Sequence, residues 1–372
     1  MRFFISYALI LIISSAILSS CKKDKDFSDV VPKFDTTKIY DIPTTYNFSN
    51  VDLSGQNYRL LMLDEMVANM KTGNTTGTLV DVIVLKNMYA NINSPFANST
   101  LNTSGKKIKD KVFSLDQLLF EAYMDSLALA SQSTSYASNG VAGVAISNDG
   151  LSKYLVDENG IEYTQYVEKG VMGAMIYYQI CEVYLSADKI GNTVDNSNVI
   201  SGQGTNMEHH WDEAFGYYGA PIDYPTNLNG LKYIAKYANS RNALLNCNKT
   251  IMDAFLKGRA SISNKDYATR DAQVTIIKSE LEKVFAATAI SYINKAKSYI
   301  TDDAIRNHNL SEGKMFAQAL KYNSSKKISN AQLQQVIDLF GDNFYTTSID
   351  NLNSARDILS PVYGFDNIKT QL

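Results

Sequence analysis

Asp271-Ala272-Gln273-Val274-Thr275-Ile276-Ile277-Lys278-Ser279-Glu280-Leu281-Glu282-Lys283-Val284-Phe285 opens the stretch, running on to Ile300, whose reading decides the fold. Val274, Ile277, Leu281, Val284, Phe285 and Tyr292 fall on one face of a helix of about eight turns. The same period returns on both sides. Downstream it marks helices over Asp302–Tyr322, Asn330–Phe340 and Ile349–Leu359, the last stopping before Pro361. Upstream it marks Gln56–Met70 through Leu60, Leu63, Val67 and Met70, then Asn206–Tyr218 and Leu231–Leu256. Leu115–Ala130 puts Leu115, Leu118, Leu119, Ala122 and Leu129 on one side, with Ser114 as the expected N-cap. Leu79–Ile92 is rich in Val and Ile, but its length favours helix.

No sustained alternating pattern and no fixed-period repeat interrupts these segments, so an α/β sheet is not expected. The expectation is an all-α fold of two antiparallel helical bundles. The lobes would span 41–190 and 191–372, divided at the Asn-, Gly- and Ser-rich loop from Asp188 to Thr205. Tyr163–Leu185 is helical by its period yet contains Gly170 and Gly173, each costing about 1 kcal/mol relative to Ala. Two glycines three apart either admit a neighbouring helix closely or mark a kink.

The chain start reads as a secretion signal over residues 1–20. Arg2 is followed by an apolar core from Tyr7 to Leu18, too short for a membrane span. Leu18-Ser19-Ser20-Cys21 has the form of a lipobox, which makes Cys21 the expected site of lipidation and membrane attachment. The polar stretch over 21–40 reads as a flexible tether. The expected location is the cell envelope, as an outer-membrane lipoprotein facing the periplasm or the cell surface.

A net charge of −3 with no basic stripe argues against a nucleic-acid partner. Cys181 and Cys247 remain after Cys21; one disulfide or two buried thiols both fit. With 24 Tyr against one Trp, the tyrosines are expected to fill helix interfaces with hydroxyls at the rim.

Three histidines occur, all beside carboxylates. In Glu208-His209-His210-Trp211-Asp212-Glu213, a helix places His210 and Glu213 one turn apart, the spacing of a metal-ligating or mutually orienting pair. His209 and Asp212 repeat that spacing, rotated by about 100°. His308 precedes Glu312 by four residues, with Asp302 and Asp303 just before it. Such pairs also serve simply as hydrogen bonds that fix a helix or loop. HExxH and its inverse are absent, as are a GxSxG elbow and a phosphate-binding Walker loop.

These blocks resemble a family of bacterial lipoproteins of unknown function, domain-of-unknown-function family 4856, related to imelysin. The resemblance covers residues 40 to 360. It is carried by Ile42–Tyr46, Ser54–Leu60, Leu101-Asn102 with Ser104-Gly105-Lys106, Glu168–Ala174, Glu208–Tyr217, Ala254–Arg259 and Ser311-Glu312-Gly313. It implies two helical bundles and a GxHxxE motif whose His and Glu match His210 and Glu213. Glu208 stands at the motif's glycine, a departure that removes whatever backbone freedom the glycine supplies. Imelysin-like proteins are associated with peptidase activity and with iron uptake.

The expectation is therefore a non-enzymatic, lipid-anchored binding protein for iron or haem acquisition. His210 and Glu213 would be the inner-face metal ligands, Glu208, His209 and Asp212 would assist, and His308 with Glu312 would close the site. Iron or another divalent ion suits imidazole and carboxylate, and haem takes an axial histidine. The rivals are an imelysin-like metallopeptidase and a helical scaffold for an outer-membrane transporter.

Overall fold

The structure, a computed structural model, describes residues 38–372. The signal over 1–20, Cys21 and the tether as far as residue 37 lie outside the described residues. Among the described residues the chain forms α1 (Ser54–Lys71), α2 (Val82–Ala90), α3 (Ser99–Thr103) and α4 (Gln117–Ala130). A hairpin of β1 (Gly143–Ile146) and β2 (Lys153–Val156) follows, then α5 (Tyr163–Val171), α6 (Ala187–Ile190) and α7 (Asn206–Tyr218). The chain continues through α8 (Tyr233–Leu245), α9 (Cys247–Ser263), α10 (Tyr267–Ser298), α11 (Asp303–Ala319), α12 (Asn330–Phe340) and α13 (Ile349–Tyr363). Helix accounts for 61% of the described residues, so the all-α class holds. None of the described helices is long and apolar enough to cross a membrane.

Helices α9, α10 and α11 are consecutive and joined by short turns, which makes each antiparallel to the next. Asp266 caps α10 by accepting from Thr269 N (3.1 Å), and Asp302 caps α11 by accepting from Ile305 N (3.0 Å). Along α10, Ile277, Leu281, Val284 and Phe285 are buried.

The centre is α5 and its continuation. From Met172 to Tyr177 and from Gln179 to Tyr184 the helix widens into π-helical turns. Val171, Met172, Ala174, Met175 and Ile176 are each fully buried, and the stretch from Gly170 to Tyr177 is apolar around its circumference. A helix of that kind takes neighbours on every side. Phe113 N, from the earlier half, donates to Ala174 O (2.8 Å), while Tyr177 stacks on Phe285 of α10 at 4.5 Å. Residues of 41–190 and 191–372 therefore share one hydrophobic core instead of each enclosing its own. Gly170 and Gly173 supply the close approach. A Cβ on Gly173 would lie 2.7 Å from Ala319 Cβ on α11, and one on Gly170 would lie 2.5 Å from the Phe120 ring.

Several local expectations are corrected. On α4 the buried side is Phe120, Met124 and Leu127, whereas Leu115, Leu118 and Leu129 are exposed. Both stripes are apolar at helical spacing; the Phe120 ring takes the inward position because it fits against Gly170. Ser114 begins a 3-10 turn and does not cap α4. The β hairpin pairs four residues with four, Gly143 opposite Val156, too short to show alternation in sequence. Leu231–Leu256 is broken at Asn246, whose φ of 50° ends α8 and starts α9. Helix α13 passes through Pro361 and ends at Gly364, with Pro361 in its last turn. The tether's last residues are docked: Lys38 Nζ donates to Lys265 O and Tyr40 OH to Asp266 Oδ2 (2.8 and 2.9 Å). Cys181 and Cys247 are separate buried free thiols. The tyrosines go deeper than the rim: Tyr89, Tyr177 and Tyr217 have fully buried rings and hydroxyls without a partner.

Gly173→Ala is expected to destabilise the fold by about 1–3 kcal/mol through overpacking against Ala319. Urea denaturation checks this, and an unchanged midpoint would contradict the close-approach reading.

Candidate functional site

Helix α7 begins with a capping box. Thr205 Oγ1 accepts from Glu208 N (3.2 Å), and Glu208 Oε2 accepts from Thr205 N (2.9 Å). Glu208 is thus an ordinary helical residue in the first turn, and the missing glycine costs no backbone freedom. Its other oxygen meets Arg259 Nη1 of α9 at 2.7 Å, and Arg259 Nε meets Asp212 Oδ1 at 2.8 Å. Tyr46 OH donates to the same Asp212 oxygen (2.7 Å), and its ring stacks on Phe215 at 3.7 Å. Burial works against Glu208's charge, but the Ser263 hydroxyl, the Thr205 amide and Arg259 together hold its carboxyl below the usual range. Asp212 is fully enclosed; burial pushes it up to about 6, with Arg259 pulling the other way. Trp211 lies flat against Gly258, where a Cβ would be 2.0 Å from the indole, and donates Nε1–H to Phe255 O (3.0 Å).

This arrangement corrects the expected inner pair. Asp212, not His210 or Glu213, is the carboxylate that points into the interior, because Arg259 draws Glu208 and Asp212 onto one face. His209, His210 and Glu213 lie on the half-buried flank. His210 Nδ1 donates to Lys189 O of α6 (2.6 Å), and burial holds its imidazole below the ordinary value. Glu213 turns instead to α1, accepting from Gln56 Nε2 (2.8 Å), with His209 Nε2 at 3.9 Å. His210 and Glu213 make no direct pair, and His209 pairs with Glu213, not with Asp212. Among the described residues, no three His, Cys, Asp or Glu side chains are grouped to hold a metal ion. The expected metal ligands do not fit a bare ion.

His308 and Glu312 form a separate centre. His308 Nδ1 donates to Glu162 Oε2 (2.6 Å), its Nε2 lies 3.8 Å from Glu312, and Tyr154 of β2 stacks on the ring at 4.2 Å. Lys169 of α5 reaches Glu312 at 3.2 Å and Glu168 at 2.6 Å. Burial pulls the imidazole down, but Glu162 by charge and hydrogen bond, with Glu312 behind it, raises it above its ordinary value. Among the described residues no hydrogen bond or ion pair joins this centre to His210 or Glu213, so His308 and Glu312 do not close the α7 site. Asp303 pairs with Arg306 instead, and Asp302 caps α11.

Arg259, Lys169 and Glu162 carry these networks without having been singled out. The available signal was a cation inside a buried apolar segment: Lys169 beside Gly170, and Arg259 ending Ala254–Arg259.

The chain belongs to the family described as Domain of unknown function (DUF4856), which matches residues 43–344. No curated protein and no solved structure matches it.

Arg259→Met would leave Glu208 and Asp212 buried without a cation; the expected loss is about 3–5 kcal/mol, read from chemical denaturation. A loss near zero would contradict the buried ion-pair reading. For His308, NMR titration should give a midpoint above 6.5, lowered by Glu162→Gln. Its stabilising contribution is then complete below pH 6.5 and fades as pH rises through the raised folded value. A midpoint at or below 6.5 would refute the pairing.

Proposed function

We propose that this protein is a lipid-anchored binding protein of the cell envelope, attached through Cys21, and that its ligand seat is the polar niche between α1 and α7. One observation carries the reading. The deep carboxylates are neutralised by Arg259 and Lys169, although Oδ2 of Asp212 and Oε2 of Glu168 lack a hydrogen bond, and the flank of α7 buries Nδ1 of His209 and Oε1 of Gln56 without a partner. Unsatisfied groups are costly inside a fold and are accounted for where a ligand completes them.

Peptidase chemistry is the weaker reading. A general base must reach the proton that it abstracts. Glu213 is engaged by Gln56, and His210 donates its Nδ1 proton to a backbone carbonyl. Iron or haem acquisition is carried over from the sequence resemblance to imelysin-like proteins alone, and an outer-membrane transporter is the partner that such a role would imply.

The test is calorimetric titration of the mature lipoprotein with haem and with ferrous iron, in parallel with His209→Ala, His210→Ala and Glu213→Ala. The expected result is haem binding weakened at least tenfold by the His209 change. Equal affinity in all variants, or chelator-sensitive cleavage of a peptide library, would overturn the proposal.

A further inference from the structure

The same niche collects positive charge. Arg59 of α1 is only 7% exposed, and no carboxylate pairs with its guanidinium: Nε donates to Lys107 O (2.9 Å), Nη1 donates to Gly55 O (3.1 Å), and the Tyr217 hydroxyl lies beside it. Lys106 lies alongside: a Cβ on Gly55 would be 3.6 Å from both Lys106 Nζ and Arg59 Nη1. Lys111 enters from the far side, donating to Tyr184 OH (2.8 Å), and Gln179 Nε2 pins its carbonyl (2.8 Å). Lys189 is brought up by the contact of its own carbonyl with His210. Among the described residues Arg59, Lys106, Lys111 and Lys189 make no ion pair. Burial, with Arg59, Lys189 and Lys106 adding to it, holds the Lys111 ammonium below its ordinary value, against the pull of Glu213.

Two carboxylates face these four cations. Glu213 is engaged by Gln56 and His209, and Asp52 accepts from Ser54 N at 2.9 Å. The balance stays positive at the position where Arg59 is most enclosed. A buried cation without a counter-charge is unfavourable. A second, independent feature points the same way. The Tyr217 hydroxyl, on a fully buried ring, faces Arg59, from which it can only accept, so its own proton has no acceptor, and His209 Nδ1 has no partner either. Both atoms can donate, which is what an anion requires.

We propose that the α1–α7 niche binds an oxyanion, the phosphate or carboxylate group of a ligand, held by Arg59, Lys106 and Lys111 with Tyr217 and His209 as hydrogen-bond donors. Arg offers a planar fork suited to either group, and the lysines add charge. This inference rests on the niche being the ligand seat. It narrows the iron or haem reading to forms that present carboxylates, such as haem through its propionates or carboxylate-chelated iron. A bare cation would meet four like charges.

The test measures the thermal midpoint of the mature lipoprotein with inorganic phosphate, with citrate, and with chloride at matched ionic strength. Flotation with phosphatidylglycerol vesicles, compared with phosphatidylcholine vesicles, runs beside it. Phosphate or citrate should raise the midpoint above the chloride control, and Lys106→Gln with Lys111→Gln should weaken that effect at least tenfold in concentration. These side chains are half-exposed, so the doubly substituted protein is expected to fold, and circular dichroism checks it. Selective vesicle binding lost in the same variant, without a response to free anions, would support the oxyanion site with a lipid headgroup as its source. No response above chloride and no selective vesicle binding would overturn the inference. Haem binding that still depends on His209 would, in that case, leave the ligand-seat reading standing.

Discussion

Arg259 sets the orientation of α7. Its guanidinium is 1% exposed and cannot remain there unpaired, so two carboxylates must come to it. Glu208 and Asp212, four residues apart, lie on one helical face and do so together. Trp211 is thereby pressed onto Gly258, and Phe215 onto the ring of Tyr46, which ties the segment before α1 to α7. The rotation that satisfies Arg259 leaves His209, His210 and Glu213 on the flank. The polar niche is thus a geometric consequence of a buried ion pair elsewhere on the same helix.

Lys169 plays the corresponding part on the other side of the core. It stands just before the apolar, fully buried stretch Gly170–Tyr177, and its charge is met by Glu168 and Glu312. Glu312 also faces His308, which Glu162 holds and Tyr154 of the hairpin covers. The network joins α5, α11 and the hairpin, and so fastens the earlier part of the chain to the later part around the shared core. Each charged member of this network faces an opposite charge, whereas Arg59 and the lysines beside α1 make no ion pair.

The niche differs from both networks in sign. Around Arg259 and Lys169 each cation has carboxylates; beside α1 the cations outnumber them, and donors on Tyr217 and His209 are left over. Blocks far apart in sequence, Ser54–Leu60, Ser104–Lys106 and Glu208–Tyr217, meet there. Arg59 and Lys106 contribute the charge, and α7 contributes the imidazole and the carboxylate.

The helices were legible because a 3.6-residue period is a local property: α7 and α12 fall on the segments that the apolar spacing marks, and α10 fills the Asp271–Ile300 pattern almost to its ends. The chance that Gly170 and Gly173 admit a close neighbour was legible for the same reason. What periodicity could not choose was which of two apolar stripes on α4 turns inward, since that depended on the space left by Gly170. Nor could spacing decide the pairing of His210 with Glu213. A shared helical face permits contact, but Lys189 O takes His210 and Gln56 takes Glu213, and both arrive from other elements. The sequence by itself determined the helices and the residues with chemistry to offer. Only the tertiary structure decided which charges neutralise one another and which remain open to a ligand, because burial and counter-charge belong to the packed assembly and not to any one segment.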